Sequence, residues 1–201
     1  APSVRITNSM LNGDIGIADT TISRPNGQAS ADATLVELIN VSSVSPTIDL
    51  DIATADAFDP GTSSATANVT LTDVNFGASD GFYDIGDASA NDAGLANSTS
   101  TSTWTRVTLN TSNDFEIGFA NAADLGSQAN AQTTISFLES NLSFDEFQIA
   151  ETDTFSGGVA STMVMATFQN GNLMGDNLGI ADADFFNDGT VTTDASFAIS
   201  N

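Results

Sequence analysis

The stretch Asp114-Phe115-Glu116-Ile117-Gly118-Phe119 sets the fold class. Phe115, Ile117 and Phe119 alternate with other residues, and a strand of period two puts all three on one sheet face. Working outward, the same alternation recurs at Val69 with Leu71, Ile135 with Phe137, and Phe197 with Ile199. Residues 48–52, 104–109, 142–149 and 159–168 are similar, with Thr and Ser at outward positions as β-formers.

Turn clusters separate these runs, among them Arg24-Pro25-Asn26-Gly27, Asp59-Pro60-Gly61, Ser156-Gly157-Gly158 and Asn187-Asp188-Gly189. Candidate strands follow one another every ~8–15 residues, the spacing of an antiparallel β-sandwich or jelly-roll. The sequence thus predicts one all-β domain over residues 1–201, with at most one or two short helices. The helix candidates are residues 33–40 (ATLVELIN), where Val36, Ile39 and Val41 suit a buried strand equally well, and the Ala-rich 120–131. Residues 98–103 (STSTST) read as an exposed loop or a frayed strand entry, inside the longest weakly patterned segment, 84–103.

One internal likeness stands out. Asn8–Asp19 (NSMLNGDIGIAD) and Asn170–Asp182 (NGNLMGDNLGIAD) both carry Asn, Gly-Asp five residues on, and then Gly-Ile-Ala-Asp. No regular period is read between the two, as a solenoid would require, so the pair is not taken as a repeat. Within the first copy, Asn12-Gly13-Asp14-Ile15-Gly16-Ile17 resembles a phrase of the ice-binding β-solenoid family. That family's long helix and Thr-rich coil repeat are not found in the sequence, and the antiparallel expectation stands.

Charge and missing residue types limit the chemistry. Twenty-six acids face three arginines, for a formal net charge of −23, and there is no Lys, His or Cys. Nucleic acid and anionic lipid, both bound through basic side chains, are excluded as partners. Apolar runs are too short for membrane insertion as a helix, which needs about 20 residues. Without His, Cys or Lys there is no nucleophilic triad, zinc site or Schiff base. Carboxylate-pair hydrolysis remains, but the adjacent Asp145-Glu146 would point to opposite sheet faces. The expectation is a chain that is not an enzyme.

Calcium is the cofactor the composition favours, since it takes six to eight oxygens. The candidate ligand sets are Asp182, Asp184, Asn187 and Asp188, and secondly Asp49, Asp51, Asp56 and Asp59. Five Asn-x-Ser/Thr sequons, at Asn40, Asn68, Asn97, Asn110 and Asn141, are about as many as this composition yields by chance.

Self-repulsion at this charge favours a saline or calcium-bearing setting outside the cell, so the chain is expected to be secreted or at the cell surface. Ala1 is read as an end left by signal-peptide cleavage. Apolar alternation at both extremes, Val4 and Ile6 around Arg5 and then Phe197 and Ile199, marks these five residues as intersubunit candidates, with 1–12 as an intersubunit strand. The leading expectation is a self-assembling structural subunit of a filament, pilus or surface layer, a homopolymer built by β-strand addition. The alternative is a secreted adhesin or carbohydrate- or ice-binding module, calcium-dependent, with glycans among its ligands.

Overall fold

The computed structural model describes residues 3–23, 26–45, 47–58, 61–79, 81–90, 94–123, 126–155, 157–186 and 189–200. They form β1 (Ser3–Leu11), β2 (Ile15–Ser23), β3 (Gln28–Ser43), β4 (Leu50–Phe58), β5 (Thr62–Ser79), β6 (Tyr83–Ala90) and β7 (Leu95–Thr105). β8 (Thr108–Thr111), β9 (Asp114–Ala122), β10 (Gln128–Leu138), β11 (Asn141–Phe155), β12 (Val159–Gln169), β13 (Asn172–Phe186) and β14 (Thr190–Ser200) follow. No helix occurs among the described residues; residues 33–40 and most of 120–131 are strand.

Every strand pairing is parallel, and paired residues lie 31 to 35 apart in sequence. This overturns the antiparallel sandwich or jelly-roll. The chain is a parallel β-solenoid of about six turns. One long wall stacks β1, β3, β5, β7, β10, β12 and β14; the other stacks β2, β4, β6, β9, β11 and β13. A short third side is built from β8, the end of β5 and the starts of β11 and β13.

Ladders of like residues run along the axis. Ile17, Ile52, Ile85, Ile117, Ile149 and Ile180 are successive partners, one per turn. The Gly-Ile-Ala-Asp likeness is thus a true repeat: its two copies are the first and last rungs of this ladder. The intermediate rungs read Asp51-Ile52-Ala53, Asp84-Ile85-Gly86, Glu116-Ile117-Gly118 and Gln148-Ile149-Ala150.

Two columns of left-handed residues bend each turn. At the corner leaving the first wall, Asn8, Asn40, Asp73, Arg106, Glu139 and Asn170 all have φ between 50° and 54°. Asn and Asp tolerate this region best, which accounts for four of the six. Within the second wall, Ala18, Ala53, Gly86, Gly118, Ala150 and Ala181 have φ from 55° to 80°. That second kink shifts the strand's phase. Phe115 and Ile117 face inward as expected, but beyond Gly118 the phase reverses, so Phe119 points outward while Ala120 is buried.

The core is wedge-shaped. Near the short side, Trp104, Phe137 and Phe168 of the first wall form one aromatic column, and Tyr83, Phe115 and Phe147 of the second form another. Phe115 and Phe147 stack at 4.3 Å, and Trp104 meets Phe115 across the core at 5.2 Å. Toward the other end the inward positions hold Ala, Ser and Thr, and the walls close together. Ser98, Ser100 and Ser102 face inward there, while Thr99, Thr101 and Thr103 face solvent. The STSTST run, expected as an exposed loop or a frayed strand entry, is the middle of a central strand whose period of two separates hydroxyls for the core from hydroxyls for the surface. Ser100 Oγ donates to the Ile85 carbonyl at 3.1 Å, Thr133 Oγ1 donates to that of Ile117 at 3.3 Å, and Ser98 Oγ donates to that of Gly86. These bonds satisfy carbonyls that the kink turns into the core.

Candidate functional site

Charge is segregated between the two walls. On the first wall, residues 62–72, 95–105, 128–138 and 159–169 contain no ionisable side chain. The second wall carries stacked carboxylates on its outer surface. Asp51, Asp84 and Glu116 are register partners in consecutive turns, followed by Gln148. Three residues further along each strand lie Asp19, Asp87, Glu151 and Asp182, and two beyond those Asp56, Asp153 and Asp184.

Parallel stacking places side chains of adjacent turns about 4.8 Å apart, where like charges resist full ionisation and each rung shields the next from water. Burial, reinforced by neighbouring carboxylates, pushes Asp84 up to about 6, Asp87 and Glu116 to about 7, and Glu151 to about 8. Asp51, Asp56 and Asp153 are raised for the same reasons in the same order. The formal −23 therefore overstates the charge carried near neutrality. This wall went unnoticed in the sequence because its members are some 30 residues apart and meet only through the coil register.

The arginines use this same register. Arg106 makes a two-pronged ion pair with Asp73 one turn below, Nε to Oδ1 at 2.6 Å and Nη2 to Oδ2 at 2.9 Å, which holds the Asp73 carboxyl below its usual range. Arg5 Nε lies 3.3 Å from Glu37 Oε2, its partner one turn above. Arg5, expected to meet an acidic neighbour, already engages one within its own chain.

Of the first calcium candidates, Asp182 and Asp184 sit side by side on the outer face of β13, with Asp182 Oδ1 accepting from the Ala183 amide at 2.9 Å. Asn187 and Asp188 lie outside the described residues, as does Asp59 of the second set. Among the described residues no group of three or more potential ligands is arranged to hold a metal ion. Glu146 Oε1 accepts from Gln148 Nε2 at 2.6 Å and Asn177 Nδ2 at 3.0 Å. Grooves elsewhere include one against Gly27, Gly61 and Gly94 and another along Asn110, Asn141 and Asn172 on the short side; among the described residues no carboxylate lines either. No described helix is long and apolar enough to cross a membrane.

The intersubunit candidates are the most informative. Val4 begins the inward ladder Val4, Val36, Val69, Ser102, Ile135, Ala166, Phe197. Ile6 begins the next one, Ile6, Leu38, Leu71, Trp104, Phe137, Phe168, Ile199. The residues chosen from the two ends of the chain are the first and last rungs of the same two core columns. The 1–12 segment, described from residue 3, is β1, paired to β3 of its own chain along one edge only. β14 likewise has one partner, β12. Ile199 is 62% exposed, while Val4, Ile6 and Phe197 are half-buried against the core. No family model, curated protein or solved structure matches the chain.

Proposed function

We propose that this chain is an extracellular, non-catalytic structural element that self-associates by β-strand addition at the ends of its coil stack. The observation that carries the reading is the pair of ladders running from Val4 and Ile6 to Phe197 and Ile199. Val4, Ile6 and Phe197 pack on the core from one side only and Ile199 is largely exposed, all beside strand edges with unpaired backbone groups. A second copy placing β1 on β14 adds one rung to both columns, satisfies the open hydrogen bonds and covers apolar surface. Such an interface is heterologous, so repetition lengthens a rod. The acidic, lysine-free composition supports a setting outside the cell, where salt or calcium screens the carboxylate wall.

Removing residues 1–7 is a poor test of this geometry, because it uncovers the similar edge of β3. Inward charges at the last rung are better, since an inward-pointing charge is how natural sheets block an edge. Negative-stain microscopy in saline should show rods of many lengths for the wild type and single short particles for Phe197→Lys/Ile199→Lys. Unchanged rods in that variant defeat the proposal. So does a wild type that stays a monodisperse particle at high concentration with and without calcium, a result that favours the binding module instead.

A further inference from the structure

The uncharged wall points to a second interface. Across β5, β7, β10 and β12, the outward positions repeat as Ser64, Asn97, Asn130 and Ser161, as Asn68, Thr101, Thr134 and Met165, and as Thr70, Thr103, Ser136 and Thr167. Neighbouring rungs bond along the axis, Asn130 Nδ2 donating to Asn97 Oδ1 at 3.0 Å and Thr167 Oγ1 to Ser136 Oγ at 3.1 Å. Met163 and Met165 are exposed on the same surface, at 46% and 57%. Charges return at the borders of this surface, at Arg5 of β1, Asp32 and Glu37 of β3 and Asp194 of β14 on the flanking strands, and at Asp73, Arg106 and Glu139 in the corner column.

We propose that this wall is the lateral contact between two copies of the chain, packed face to face about a two-fold axis. Three physical arguments converge. First, in a molecule with a formal charge of −23, this is the broad face through which a second copy can approach without opposing carboxylates. The acidic wall then lies on the far side of each partner, about a sheet-to-sheet spacing of 10 Å behind the contact and beyond a Debye length of about 8 Å in saline. Second, two copies share one strand spacing, so their Thr, Ser and Asn ladders keep step along the whole contact, as in the dry interfaces between stacked sheets. Third, four strands at about 4.8 Å and eleven residues at about 3.3 Å give a footprint of about 700 Å², close to the roughly 800 Å² per partner of a standard specific interface. This contact uses a different surface from the coil ends and stands or falls separately.

The absence of cysteine makes the test direct. Single variants Thr101→Cys, central on the uncharged wall, and Ser89→Cys, on the acidic wall, are treated with a short bismaleimide in saline. Thr101→Cys should crosslink into dimers at concentrations where Ser89→Cys does not. Thr101→Asp/Thr134→Asp should weaken the pairing by about tenfold or more in sedimentation, because it places unpaired charges in the contact. Phe197→Lys/Ile199→Lys should leave it intact, which separates lateral pairing from end-to-end growth. Equal crosslinking at both positions, or none at Thr101, overturns the proposal. So does adsorption to ice or crystalline cellulose that depends on Thr101 and Thr134 while Thr101→Cys stays uncrosslinked, since the wall would then serve a hydroxyl lattice instead.

Discussion

Gly86→Ala tests how the two walls fit together. The backbone there has φ +74°, yet Ala occupies the same column at 53, 150 and 181, so the left-handed conformation alone does not forbid a methyl group. What distinguishes position 86 is the facing wall, where an added Cβ would collide with Ser100 Oγ and press Ser98 Oγ at 3.3 Å. The conformational cost is about 1 kcal/mol and the overpacking about 1–3 kcal/mol, for a total of about 2–4 kcal/mol. Ser100→Ala alone removes the hydrogen bond to the Ile85 carbonyl inside the core, worth about 1–2 kcal/mol. In the double variant the collision is gone, leaving the conformational cost and the lost bond at about 2–3 kcal/mol. The two changes should therefore couple favourably by at least about 1 kcal/mol. Urea unfolding followed by fluorescence of Trp104, the single tryptophan, one turn above Leu71, measures the cycle. If the double variant loses the full sum of the two singles, the walls do not meet at this point and the reasoning is wrong.

Two further outcomes follow from the ladders. Carboxylates raised to about 6–8 in the folded state, against about 4 when unfolded, bind more protons when folded, so stability should fall as pH rises from 4 through 8 and then level off. Thermal unfolding between pH 5 and pH 9 should show a decreasing Tm whose slope flattens in Glu116→Gln/Glu151→Gln, and a Tm that rises with pH would contradict the acidic wall. Glu139→Asn, which gives the left-handed corner at φ 54° the residue found at 8, 40 and 170, should stabilise by about 1 kcal/mol in the same urea assay; a loss of stability would mean that the corner column is misread.

Strand content was legible because inward and outward residues alternate whatever the partner strand, and Val69 with Leu71 or Ile135 with Phe137 sit on the core side as read. Parallel and antiparallel strands with one buried face share that alternation, so periodicity could not choose between them. The coil repeat was hidden by its own variability. Spacing between Ile rungs drifts from 35 to 31, and the residues flanking each Ile vary from Gly to Asp, Glu and Gln, leaving only the two end copies alike. Phe119 was misplaced because a glycine with positive φ resets the phase, which composition does not reveal.

By itself, then, the sequence determined an all-β chain, a heavily acidic surface, and the apolar alternation at Val4, Ile6, Phe197 and Ile199. Only the tertiary structure decided that those four residues cap two common columns, that Asp84, Glu116 and Glu151 gather on one wall, and that the middle four strands of the opposite wall form one uncharged surface. The reason is register. Each of these features joins residues about one turn apart, and their proximity exists only once hydrogen bonds between strands fix which turn lies against which.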